Sequence, residues 1–204
     1  MLRQTILNIV DNVWPMLIII STILITIRIS YLILEKKSFV FYKEVFSLLF
    51  VIYIISLFHT VTFQDVNWST SNFIPFKEMF RYRLGSNLFI RNVIGNVLMF
   101  MPYGFFLHYF LRKCNGKMAF FLVLILSVVI ESTQLYIGRV FDIDDIILNV
   151  LGGIIGFYFF HYLNDFRELF PQLLKKNWFY NIIVLLFLIF MILYLLGKIP
   201  GGVI

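Results

Sequence analysis

The feature that most constrains this chain is a series of apolar runs, each about long enough to cross a bilayer. A spanning helix needs about 20 mostly apolar residues, because the hydrocarbon core is about 30 Å thick and a helix rises about 1.5 Å per residue. Residues 13–34, 45–63, 93–111, 118–137 and 181–197 meet or nearly meet that length, and residues 146–163 do so with interruptions at Asn149 and glycines. Lipid offers no water to pair with backbone groups, so such runs must satisfy their own hydrogen bonds as helices. The expected fold class is all-α: a polytopic transmembrane helical bundle of about six helices, with no soluble domain. Composition agrees. Of 204 residues, 61% are hydrophobic and 14% charged, against about a quarter charged in a soluble domain.

The net charge of +6 does not point to nucleic acid, since the basic residues form no stripe or arm. They sit in short clusters between apolar runs, as topology signals do. The N-terminal run is too long for a signal-peptide core, and no small-residue cleavage site precedes Glu35, Lys36 and Lys37, so it reads as a retained span. With the N-terminus outside, the inner loops hold Lys36, Lys37, Lys43, Arg112, Lys113, Lys117, Arg167, Lys175 and Lys176. Arg28 would then snorkel from the inner end of the first span. The outer segments hold Arg3, Lys77, Arg81, Arg83, Arg91, Arg139 and Lys198, mostly in one long connection where the rule weakens. That connection, residues 64–92, mixes these charges with Trp68, Phe73, Phe76, Phe80, Tyr82 and Phe89. Such a mixture suits a segment lying at the membrane surface or dipping into it, more readily as an interfacial anchor than as a substrate vestibule. Cys114, the single cysteine, excludes an intramolecular disulfide and is read as a free thiol in a loop.

Polar residues inside the spans carry the functional signal. Ser127, Glu131 and Gln134 are spaced i, i+4, i+7 and share a helix face. Asn92, Asn96 and Tyr103 share one on the preceding span, where Pro102 predicts a kink. Asp142, Asp145 and Asn149 align on the next helix if it starts early enough. Below them Gly152 and Gly156 form a small-xxx-small pair for close helix packing. Apart from Ser127 and Tyr103, these groups fall toward one membrane face and can converge on a cleft. An acidic residue deep in a span costs about 2.5–3.5 kcal/mol on insertion scales, so Glu131 requires a partner or a function. Arg139 is the nearest candidate partner. Asp142 and Asp145 crowd further negative charge there, which a bound cation or a proton on Glu131 would relieve.

Each residue also has a structural reading. Asp144 or Asp145 suits the N-cap of the fifth helix. Asn96 and Gln134 serve equally as interhelical hydrogen-bond glue, and Glu131 with Arg139 as an ion pair. Asp142, Asp144 and Asp145 offer hard oxygen ligands for a divalent cation, but only weakly as a set. His59, His108 and His161 stand apart from them and from any thiol, so neither a zinc site nor a hydrolytic nucleophile is written here. Taken together, the polar residues favour a functional cleft.

At these positions the chain resembles the VanZ-like family of small bacterial membrane proteins. The resemblance rests on Asn72-Phe73-Ile74-Pro75-Phe76 and on Asn92-Val93-Ile94-Gly95-Asn96-Val97-Leu98-Met99-Phe100-Met101-Pro102-Tyr103-Gly104. It continues through Glu131-Ser132-Thr133-Gln134, Asp142-Ile143-Asp144-Asp145, Asn149, Gly152 and Gly153. It implies a VanZ-like core over residues 72–163 within a single integral membrane domain over 1–204, preceded by an additional transmembrane helix within 1–40. It also implies reduced susceptibility to teicoplanin-type lipoglycopeptides, in a Gram-positive bacterial plasma membrane. The expected partners are membrane lipids and, at the cleft, a lipoglycopeptide or a lipid-linked wall precursor. Beside this stands an enzyme modifying an envelope lipid or precursor, with Glu131 as acid or base and Asp142 and Asp145 holding a cation. A small transporter is disfavoured because the polar groups stop short of the inner face; a purely structural membrane protein stays open.

Overall fold

The computed structural model describes residues 2–63 and 71–197. Six helices in it are long and apolar enough to cross a membrane. They are α1 (Leu2–Leu34), α2 (Phe41–Phe63), α3 (Asn87–Phe110), α4 (Gly116–Tyr136), α5 (Ile143–Glu168) and α6 (Asn177–Leu195). Short 3₁₀ turns cover Met79–Arg81 and Gln172–Lys175. The described residues contain no β-strand, only an isolated parallel bridge between Asn72 and Asp142. The expected all-α bundle is the observed one. Of the positions weighed above, Trp68 and Lys198 lie outside the described residues.

Capping chemistry, more than hydropathy, sets the helix ends. Asn115 accepts from the Met118 amide at 2.9 Å and starts α4. Ser86 accepts from the Phe89 amide at 3.1 Å and starts α3 well before the expected residue 93. Hydropathy had stopped short there because Arg91 and Asn92 lie inside the helix. For α5 the cap is Asp142, whose Oδ1 accepts from the Asp144 amide at 2.9 Å. This corrects the assignment of that role to Asp144 or Asp145. An aspartate one residue before the first helical position reaches the second helical amide, whereas Asp144 and Asp145 are already inside the turn.

The chain divides into two compact units. The first comprises α1, most of α2, and α6. Arg28 does not simply snorkel: it donates to both carboxylate oxygens of Glu44, at 2.8 and 3.0 Å, and so ties α1 to α2. The Tyr42 amide donates to Asn181 Oδ1 at 3.0 Å, joining α2 to α6. The apolar side chains of α1 and α6 are largely exposed, as helices facing lipid require.

The second unit, residues 60–168, contains α3, α4 and α5. Its packing is set by glycine. A Cβ on Gly152 would run into the Val97 carbonyl, and one on Gly156 into the Met101 carbonyl one turn further along α3. Gly104 of α3 meets the Gly153 backbone in the same way, while Gly153 itself meets the Val123 side chain of α4. In lipid there is little hydrophobic drive between helices, so close backbone approach of this kind supplies the dispersion contacts that hold α3 to α5. Fully buried Phe100, Ala119 and Val123 fill the remaining space. Cys114 lies in the α3–α4 loop as expected, but it is turned inward against Ala119 and Phe157, and burial pushes its thiol pKa up. His108 packs with Phe157, Phe160 and His161 near the same end of the unit.

Candidate functional site

At the opposite end of this second unit, the loop before α3 is sewn to the start of α5. The Asn72 amide donates to the Phe141 carbonyl at 2.8 Å, and the Ile143 amide returns to the Asn72 carbonyl at 3.0 Å. Asn72 Nδ2 donates to Asp142 Oδ1 at 2.9 Å, and its own Oδ1 accepts from the Ile74 amide at 3.2 Å. Asp144, 1% exposed, gathers the amides of Phe76, Glu78 at 2.7 Å and Met79 at 3.0 Å onto its carboxylate. Phe76 has φ +67°, a left-handed conformation that costs a bulky L-residue about 1–2 kcal/mol. The anionic cradle offsets that cost, since three charge-assisted bonds each exceed an ordinary one. Asp144 is thus the anchor of the loop, and Asp142 both caps α5 and holds Asn72.

Glu131 projects from α4 into this end and is 2% exposed. Its Oε2 accepts from the Asp142 amide at 3.1 Å. The Gln134 amide, oriented as its neighbours require, donates to Glu131 Oε1 at 3.0 Å and accepts from Arg139 Nη1 at 3.0 Å. The expected Glu131–Arg139 pairing is therefore relayed through Gln134. Arg139 Nη1 also donates to the Val61 carbonyl.

A helix C-cap places Arg139 there. The Arg139 amide donates to the Gln134 carbonyl at 2.9 Å and the Gly138 amide to the Leu135 carbonyl at 3.2 Å. With Gly138 at φ +84°, this is the Schellman arrangement, which folds the chain back over the last turn. On α5, Asp145 accepts from Asn96 Nδ2 of α3. One turn deeper Asn149, 2% exposed, donates to Ser127 Oγ at 3.0 Å. The Asn149 Oδ1 is buried and has no hydrogen-bond partner.

Asn72, Asn92, Asn96, Glu131, Gln134, Arg139, Asp142, Asp145 and Asn149 all line one cavity of about 860 Å³. Asp144 lines a smaller one of about 380 Å³ that shares many of its residues. Gly152 and Gly156 are packing positions and Tyr103 stands outside the cavity wall. Burial raises the pKa of Asp142; the Asn72 and Asp144 amide hydrogen bonds oppose this, and the Asp144 and Glu78 charges add to it.

The weak cation set is divided. Asp144 faces the loop amides, while Asp142 and Asp145 are turned to Asn72 and Asn96. Among the described residues, no three histidine, cysteine, aspartate or glutamate side chains are arranged to hold a metal ion.

Several lining residues were missed by sequence reasoning. Arg81, Arg83 and Arg91, with Tyr82 and Ser86, belong to the cavity wall, although their aromatic surroundings favoured an interfacial anchor over a vestibule. A signal was present in the α3 start: Ser86 is a good N-cap, and a helix begun there puts Arg91 and Asn92 beside Asn96. Residues Ile90–Ile94 wind as a π-helix, a local irregularity that recurs at functional sites and that hydropathy cannot reveal.

The VanZ/LLP1 family model matches residues 44–164, more than half of the chain. No curated protein and no solved structure matches it.

Proposed function

This chain belongs to the VanZ/LLP1 family, and on that premise we propose that it lowers susceptibility to teicoplanin-type lipoglycopeptide antibiotics from a Gram-positive plasma membrane. The observation that carries this reading is the convergence of a loop and three spans on one polar cavity in an otherwise apolar bundle. Burying Glu131 carries a desolvation cost that its hydrogen bonds have to offset, and that cost supports a working role. The lysine and arginine bias favours the N-terminus outside, and the cavity end then faces the outer leaflet. There the lipid tail of the drug and its cell-wall target meet. Binding of either the tailed drug or a lipid-linked wall precursor at the cavity keeps the two apart.

A susceptible host expressing the protein tests this, with teicoplanin and vancomycin scored separately. Protection should be larger against teicoplanin, because vancomycin lacks the lipid tail. Glu131→Gln, Asp142→Asn and Asp145→Asn should each abolish it at near-normal protein levels, since an amide keeps the shape and removes the charge. Full protection by all three variants would eliminate the cavity as the active element. No protection by wild type would eliminate drug resistance.

One observation supports a second reading, an enzyme acting on an envelope lipid or precursor. Glu131 and Asp145, from different helices, both line the cavity, which suits proton transfer to a bound substrate. Equal protection against both drugs would favour it, because an altered wall target would be common to them.

A further inference from the structure

The cavity rim carries two arginines with nothing among the described residues to neutralise them. Arg83 and Arg91 line it and are exposed, and neither guanidinium has a partner among the described residues. Arg81 differs, donating to Glu78 at 3.0 Å. Deeper, the wall carries buried Glu131, half-buried Asp145 and the unpartnered Oδ1 of Asn149, while Arg139 is committed to Gln134 and the Val61 carbonyl. A phosphate finds two unpaired guanidinium groups at the rim, whereas a hydroxyl or ammonium group finds hydrogen-bond acceptors inside. A ligand that satisfies both ends carries a phosphate and a hydrogen-bond-donor arm.

The rim also indicates what the phosphate is attached to. Phe80 and Leu84 are each 82% exposed and Leu88 58%, so large apolar side chains alternate with Arg81, Arg83 and Arg91 along the loop and the start of α3. Apolar groups that enter the acyl-chain boundary hold adjacent arginines at headgroup level. The volume of about 860 Å³ lies in the upper part of the roughly 300–1,000 Å³ range of drug-sized sites. A bare phosphate would leave most of it empty.

We propose that the cavity binds a phosphate-bearing amphiphile, with the phosphate on Arg83 and Arg91 at the rim and a hydroxyl or ammonium arm turned inward to Asn149 and the carboxylates. The assignment rests on reading the cavity as the functional site, and it specifies that site's ligand class. Arginine suits the role because its planar fork binds phosphate oxygens in pairs.

The test uses the full-length protein in detergent, titrated calorimetrically with three soluble probes. These are dihexanoylphosphatidylglycerol, dihexanoylglycerol without phosphate, and glycerol phosphate without acyl chains. The phospholipid should bind about ten-fold tighter than either of the others, because dihexanoylglycerol forfeits the charge-assisted hydrogen bonds of the phosphate and glycerol phosphate the burial of two acyl chains. The Arg83→Gln/Arg91→Gln variant should lose that preference, while Arg112→Gln, in the loop at the other end of the unit, should keep it. Unchanged affinity in the double variant would overturn the proposal, as would equal loss in Arg112→Gln. Glycerol phosphate binding as tightly as the phospholipid would make the site one for a free anion and overturn the amphiphile assignment. Phosphate-dependent binding by a chain that gives no drug protection would refute the resistance reading and leave this one standing. Protection without any phosphate preference would do the reverse.

Discussion

Single residues in this protein act mostly through backbone geometry. Gly138 adopts φ +84° with nothing within 4 Å of the position a Cβ would occupy, so any penalty for Gly138→Ala is conformational and not steric. That variant should lose about 1–2 kcal/mol in thermal unfolding in detergent, and Gly138→Asn less, because asparagine tolerates the left-handed region. A loss as large for asparagine as for alanine would refute the conformational account. Asp142 gives a pH prediction. Its folded pKa is raised above the ordinary 3.8, so the fold prefers the protonated carboxyl. The stability this contributes is complete below about pH 3.8 and declines as pH rises through the folded value. Asp142→Asn keeps a good N-cap and stays neutral. It should unfold like wild type in acid, and at an equal or higher temperature at neutral pH. A neutral-pH deficit confined to the variant would show that the carboxylate charge is needed for folding. Legibility at this scale was mixed. Burial cost singled out Glu131, but the amides that meet its carboxylate, and the relay through Gln134, depend on a helix C-cap that spacing does not reveal.

At the scale of elements, the contact between α3 and α5 is the one most sensitive to volume. Gly152 and Gly156 face successive carbonyls of α3, leaving no side chain to rotate away. Gly152→Leu and Gly156→Leu should each sharply reduce folded protein in the membrane, by more than the 1–3 kcal/mol typical of overpacking. Ile155→Leu, on the exposed side of the same helix, should have little effect; normal accumulation of the glycine variants would remove their packing role. The glycine spacing was readable in the sequence because small-xxx-small repeats at helical period. Its partner was not, since Val97 and Met101 contribute only backbone carbonyls to the contact. Helix starts were misplaced for a related reason. Hydropathy registers the lipid-facing part of a helix, whereas Ser86 and Asp142 extend α3 and α5 into polar sequence through single hydrogen bonds.

The whole molecule poses the question of orientation. Lys77 is exposed on the cavity-side loop, and Lys113 is exposed between α3 and α4. In a Cys114→Ala background on intact cells, an impermeant thiol reagent should label Lys77→Cys and leave Lys113→Cys untouched. The opposite pattern would put the cavity on the inner face and remove the outer-leaflet mechanism.

The sequence by itself determined the class of fold, the number of spans, and the polar positions that gather at one end. Those follow from transfer free energies and helical period, which are local and additive along the chain. Tertiary structure decided what the polar groups do to one another. Asp144, a candidate ligand or cap by sequence, is committed to loop amides, while Arg83 and Arg91, which sequence assigned to a membrane surface, stand at the cavity rim. Hydrogen-bond partners separated by tens of residues are chosen by where the packed backbones come to rest. Here that is fixed by the glycine contact of α3 with α5, and no spacing rule along a single helix encodes it.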